Sequence, residues 1–192
     1  YWSLWIFLVL FILSLGAEFI SNDKPLLVHY DGDLYTPVFN AYPETTFGGF
    51  FESEANYRDP VVKDLIEENG WILWPPIRFS YNTINYDLSE PAPAPPSAEN
   101  WLGTDDQGRD VAAGLIYGFR ISVLFGLMLT LFSSIVGIIV GAIQGYYGGW
   151  LDLAGQRFLE IWSSMPTLFL IIIISSFVTP SFWILLIIML LF

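Results

Sequence analysis

The sequence contains no cysteine and one histidine, His29. Without thiols there is no disulfide framework, no thiolate metal site and no Cys nucleophile, and one imidazole leaves little for a histidine metal centre. Charge is scarce as well: 14% of the 192 residues carry it, against about a quarter in an ordinary soluble domain. Most of that charge is negative, 19 Asp and Glu against 7 Lys and Arg, for a net −12. This is the wrong sign for displacing counterions from phosphate, so no nucleic-acid partner is expected. No Gly-x-x-x-x-Gly-Lys-Ser/Thr segment occurs, which excludes a P-loop for nucleotide phosphates. What the chain has in abundance is apolar and aromatic, 54% and 18% of its residues, with the charges crowded into the middle and nearly absent from the ends.

Three blocks follow from that distribution. Residues 1–20 open with an uncharged run to Ala17, close to the length of about 20 residues that crosses a bilayer core as a helix, and read as a first transmembrane helix. The run has neither an initial Met nor a basic flank, so the N-terminus reads as clipped. Ser14, Gly16 and Ala17 leave open a signal-peptidase site instead. Residues 21–100 hold thirteen acidic residues against Lys24, Arg58, Lys63 and Arg78, and ten of the twelve prolines. Their many aromatics predict an ordered but irregular domain outside the membrane, with a short helix in DPVVKDLIEENG stopped by Gly70 and an extended run in WPPIRFSYNTINY. PAPAPPS, residues 91–97, predicts a semi-rigid polyproline spacer at the exit.

Residues 101–192 turn apolar again. Ile121 to Ile143 is long enough for a second span, and GYYGGWLD reads as a tight turn at interface depth. The uncharged run from Ile161 onward is too long for one helix, and Pro180 is the expected division between a third span, about Trp162 to Val178, and a fourth from Phe182. An apolar run that stops after eleven residues predicts a piece of a longer protein. The expected fold is therefore an all-α polytopic membrane protein with an irregular insert. Arg157 is the only basic residue of the loop from Gln144 to Glu160, which places that loop in the cytoplasm and the acidic block outside.

The most informative stretch is WLGTDDQGRDVAAGLIYGFRIS, Trp101 to Ser122. Thr104 and Gln107 have capping-box spacing, and Asp105 and Asp106 suit a first helical turn. Val111, Leu115, Ile116 and Phe119 then form one apolar face, so a surface helix is expected before the chain enters the membrane at Arg120.

LGTDDQGRDV, the following RIS, the glycine-bearing apolar helix, GYYGG and a span with an early proline together resemble inner-membrane permease subunits of dipeptide and oligopeptide ABC importers. The insert with YPETTFGG, YRDP and WPPIRFSYNTIN is most similar to the branch associated with microcin C-type peptides. The residues that carry the resemblance are Leu102, Gly103, Thr104, Asp105, Gly108, Arg109, Asp110 and Arg120. It implies a truncated type I importer permease fold in a bacterial inner membrane, with residues 21–100 in the periplasm. It also implies four kinds of neighbour: a second permease subunit, two ATPase subunits, a periplasmic solute-binding protein and membrane lipid. The ATPase-docking loop of the family would begin beyond Phe192. The chain itself is then no enzyme and needs no cofactor.

Other features are less specific. Ser133, Gly137, Gly141 and Gly145 recur every four residues, a small-residue stripe suited to close packing within the chain or against the second permease subunit. Pro166, after Met165, frees the Trp162 carbonyl and predicts a kink, which many membrane helices carry without function; that this one lines a substrate path is what the resemblance implies. Arg157 and Glu160 are spaced to pair. His29, near Asp31 and Asp33, is assigned no site. Two classes of function remain: a permease subunit, or a membrane-anchored extracytoplasmic binding or sensor module. The number of spans separates them.

Overall fold

The computed structural model describes residues 1–179 and 181–191. The division expected at Pro180 lies outside the described residues. Packing separates residues 1–120 from those that begin at Ile121, twenty residues beyond the boundary expected at 100.

In the first unit, α1 (Trp2–Leu15) and the one-turn α2 (Ala17–Ile20) meet at Gly16. At 14 residues α1 is about 21 Å long, less than the roughly 30 Å of a bilayer core. The helix thus breaks at Gly16, inside the expected first span. The chain then enters a three-stranded antiparallel sheet in the order β2-β1-β3, formed by β1 (Leu27–Tyr30), β2 (Asp33–Tyr35) and β3 (Gly70–Leu73). This sheet corrects the all-α expectation and gives the supposedly irregular insert a regular frame. β1 and β2 are joined by Asp31 and Gly32, both at positive φ, as a two-residue hairpin requires. Val28 faces Tyr35 on one side and Ile72 on the other.

Helix α3 (Pro60–Asn69) begins where expected, because the Asp59 carboxylate accepts the Val61 N–H at 2.9 Å and proline occupies the first helical position. Gly70 ends it by entering β3 in an extended conformation, not by a left-handed cap. A side chain there would overlap the His29 carbonyl. Val62 and Ile66 of α3 close on Val28, Phe47, Ala55 and Tyr57. Phe47, on a 3-10 turn (Glu44–Phe47), is the hub: Tyr30, Tyr35, Tyr42 and Tyr57 meet it edge-on at 5.3–6.4 Å between centroids, the arrangement that suits ring quadrupoles.

The chain leaves this domain through helix α4 (Val111–Tyr147), 37 residues and about 55 Å long. The expected surface helix and second span are therefore one helix. From Ile121 onward the second unit comprises the rest of α4, α5 (Gly149–Ser163), α6 (Thr167–Phe177) and α7 (Phe182–Leu190). The expected loop from Gln144 to Glu160 is helical except at the turn where Gly148 and Gly149 take φ of 57° and 54°. Among the described residues α4 is the helix long and apolar enough to cross a membrane. The pair α5 and α6, bent by 71°, passes the same test only if taken as one broken span.

Candidate functional site

The motif residues form a loop and not a helix. The Asp105 carboxylate accepts the N–H groups of Gln107 at 2.9 Å and Arg109 at 2.8 Å, and the Asp105 N–H returns to the Arg109 carbonyl. This Asx turn competes with helix and overrides the expected capping box at Thr104 and Gln107. Gly103 and Gly108 take φ of 77° and 80°, which explains glycine at both places. At Gly103 a Cβ would also lie 2.5 Å from the Ala94 carbonyl oxygen.

The true cap of α4 is Asp110, six residues later. One carboxylate oxygen accepts the Ala113 N–H at 2.7 Å, the other accepts the Asn100 amide at 2.8 Å, and Asn100 in turn accepts the Asn85 amide at 3.0 Å. Asn85, Asn100 and Asp110 are all buried, so the network joins the extended segment, the end of the proline run and the helix start in a water-poor site where each bond weighs more. Thr104 does not cap. Its hydroxyl accepts the Ala94 N–H at 2.9 Å and its own N–H donates to the Ala94 carbonyl at 3.0 Å. The proline run is thereby pinned to the motif instead of standing free as a spacer. Leu102 is exposed, and the Nε of Arg109 is buried without a partner among the described residues.

One helical turn further along is a second joint. Ala112, Ala113 and Tyr117 are the buried positions of α4, not the Leu115 and Phe119 face expected from hydropathy. Ala112 and Ala113 pack on Ile77 and Phe79, with Ile116 at the edge. The Tyr117 hydroxyl donates to the Ser21 carbonyl at 2.8 Å, while the Ser21 hydroxyl donates to the Phe79 carbonyl at 2.6 Å. Arg120 does not reach for head groups: its Nη1 meets both carboxylate oxygens of Glu18 at 2.8 and 2.9 Å, and its guanidinium lies 5.0 Å from the Tyr117 ring centroid. The motif thus ties the end of the first apolar segment to the root of α4.

Sequence reasoning missed Asn85, Asn100, Ser21 and Glu18 as partners. Their separations of 10 to 102 residues from the groups they hold leave no local pattern to read.

In the second unit nothing lies within 4 Å of a Cβ added at Gly137, Gly141 or Gly145, and Ser133 is exposed with them. Ser164, Met165 and Pro166 break the helix as expected, but the Trp162 carbonyl is not freed, since the Met165 N–H donates to it at 3.1 Å. Arg157 and Glu160 pair at 2.6 Å. His29 stacks on Trp71 across the sheet, with centroids 5.8 Å apart.

No protein-family model matches the chain. The chain is 62% identical over 192 residues to the inner membrane ABC transporter permease protein YejE of Escherichia coli, and 51% identical over 216 residues to the peptidoglycan transport system permease protein YejE of Agrobacterium fabrum. Each alignment covers 100% of this chain and 56% of the relative. The resemblance to ABC peptide permeases holds along the whole chain. A further relative, the dipeptide transport system permease protein DppC of Haemophilus influenzae, is 46% identical over 80 residues, 42% of this chain and 27% of its own length. The chain thus spans about half the length of the curated relatives it matches along its whole length. Names of this kind describe transport permeases of the inner membrane, not enzymes.

Proposed function

We propose that the chain is part of a permease subunit of an ATP-driven importer that carries peptides or peptide-like compounds across a bacterial inner membrane. The observation that supports this best is the 62% identity to an inner membrane ABC transporter permease over every residue of the chain. The form of α4 agrees, because its most apolar window is wholly unburied, and such a surface is stable against lipid or another apolar helix and not against water.

On this reading residues 1–20 are a first transmembrane helix, 21–100 a periplasmic insert and 101–192 the start of a multi-pass core. The 27 residues of α4 beyond Arg120 extend for about 40 Å, enough to cross the hydrocarbon and reach both interfaces. The Gly148 turn then lies on the cytoplasmic side, with Trp150 and the paired tyrosines 146 and 147 at the interface. A second permease subunit covers the stripe of Ser133, Gly137, Gly141 and Gly145. The break at Met165 and Pro166 lines the path, since irregular backbone in a membrane is tolerated where it borders a cavity or protein. Two ATPase subunits supply the energy, and a periplasmic solute-binding protein delivers the cargo to the insert.

The joint of Asp110, Arg120 and Glu18 gives the motif its part in this scheme. It holds the first turns of α4 to the insert and to the end of the first apolar segment. Single cysteines at Asn56 and Gln156 of the full-length protein test the topology: the first is expected to react only with impermeant reagent from the periplasm, and the second only after the cytoplasm is opened. The reverse pattern, or peptide uptake unchanged by deletion of the subunit, overturns the reading.

A further inference from the structure

The extramembrane domain carries a cleft of about 520 Å³ lined by Arg58, Lys63, Trp74, Arg78, Asp87 and Glu99. That volume lies within the range of small-molecule sites, roughly 300–1,000 Å³. Its lining is unusual for this protein. Residues 21–100 hold only four cationic side chains, and three of them face this one cleft. Lys63 is paired with Glu67 at 3.7 Å, but among the described residues neither Arg58 nor Arg78, nor Asp87 nor Glu99, has an opposite charge within 4 Å.

The two guanidiniums are held by other means. Arg58 donates Nη1 to the Arg78 carbonyl at 2.9 Å and lies 4.2 Å over the Phe79 ring, while Arg78 lies 5.7 Å from the Trp74 ring centroid. Of the five donors of Arg58 one is used, and Arg78 uses none. Burial lowers the affinity of Arg58 for its proton, an effect that the more distant Asp87 and Glu99 oppose. Forked donors pinned by aromatic rings, unspent and facing a cavity, are what bidentate carboxylate recognition requires.

We propose that this cleft binds a small zwitterion, an amino acid or short peptide with both termini free, its carboxylate on Arg58 and Arg78 and its ammonium on Asp87 and Glu99. Trp74 offers an apolar face for a side chain between them. A purely anionic ligand would meet two carboxylates of the same sign, and a purely cationic one two guanidiniums, so ends of opposite charge fit this lining best. The site is in the extramembrane domain and does not depend on transport: it would bind in a chain that moves nothing, and its failure would leave the permease reading intact.

The test is calorimetric titration of the full chain in lipid nanodiscs with trialanine, trialanine amide and N-acetyl-trialanine. Trialanine is expected to saturate one site, and amidation or N-acetylation to weaken it at least tenfold. Arg78→Gln is expected to cause a similar loss for trialanine while narrowing its advantage over the amide. Its exposed side chain makes misfolding an unneeded explanation, and an unchanged unfolding temperature verifies that. Lys24→Gln, in the neighbouring cavity, is expected to leave affinity unchanged. Equal binding of free and amidated peptide, or no saturable binding of trialanine, overturns the proposal.

Discussion

The domain built on the three-stranded sheet and the helices beyond Ile121 use similar residues in opposite ways. In the domain, Phe47 and Ile66 are fully buried and polar side chains such as Asn100 and Asp110 are sealed in with them. Beyond Ile121 the only buried hydrophobic residues among those described are Leu186 and Ile188, while Ile138 is 71% exposed and Phe169 65%. Phe47 is therefore a core residue in one region, whereas Phe169 points outward in the other. The domain carries its own cohesion, from aromatic burial and a satisfied polar network. The helices satisfy their backbones internally and leave most of their side chains exposed, a surface that an apolar surrounding would stabilise and water would not.

That contrast predicts its own largest effect. Phe47→Ala removes the hub of four tyrosines and should cost about 3–5 kcal/mol, read as early loss of near-ultraviolet dichroism in urea. Ile138→Ala in detergent should shift unfolding hardly at all; comparable costs at the two sites would erase the distinction. Next comes Asp110→Ala, which deprives α4 of its cap and leaves the Asn100 amide buried without its acceptor. Adding a cap of about 0.5–2 kcal/mol to an unmet donor of about 1–3 gives roughly 1.5–5 kcal/mol. Asp110→Asn, which keeps an acceptor for the cap, should lose less, and proteolysis between residues 85 and 110 should follow the same order.

How far the sequence revealed these regions depended on the range of the interactions. Asp59, Pro60 and the apolar spacing of α3 are local signals, and the helix forms as expected. The sheet was hidden because its strands are three or four residues long and β3 follows directly on α3, which leaves no run long enough for a two-residue period to declare itself. The motif was recognisable as a string, yet its chemistry was misread: capping-box spacing at Thr104 lost to the Asx turn of Asp105, and the cap moved to Asp110. Arg120 was expected where the chain enters the membrane, and its pairing with Glu18 was out of reach of any local pattern because the two are 102 residues apart. Composition marked the apolar stretch of α4 but divided it from the surface helix that precedes it, and it gave no sign of the break at Gly16 inside residues 1–20.

The small-residue stripe sharpens the comparison from the other side. In the chain alone Gly141 faces open space, so Gly141→Leu should leave its unfolding unchanged or raise it by up to about 1 kcal/mol through helix propensity. In the assembled complex with a second permease subunit the same change should cost about 1–3 kcal/mol by overpacking, seen as a lower yield and melting temperature of the purified complex. Leu129→Ile should be nearly silent in both. Equal behaviour of the two variants in the complex would mean that the stripe faces lipid.

The smallest effect concerns an unsatisfied hydroxyl in the domain's aromatic core. The Tyr57 hydroxyl is buried without a partner among the described residues, and burial, then the Glu54 carboxylate, then Tyr42, push its ionisation well above the usual value near 10. Below pH 10 the phenol is protonated in both folded and unfolded chains, so its contribution is fully present. Above pH 10 the unfolded chain releases this proton and the folded one retains it, and stability falls by up to about 1.4 kcal/mol per pH unit until the raised folded value is reached. Tyr57→Phe removes that dependence. Urea midpoints of the two proteins should agree within about 1 kcal/mol at pH 7, with any difference favouring Phe because it removes an unmet hydroxyl. They should then diverge steadily from pH 10 to 11.5, where Tyr35, raised in the same direction but present in both chains, cancels. If the Tyr57 pair stays parallel through pH 11.5, the domain's core admits water, and the contrast with the outward-facing helices is weaker than its packing implies.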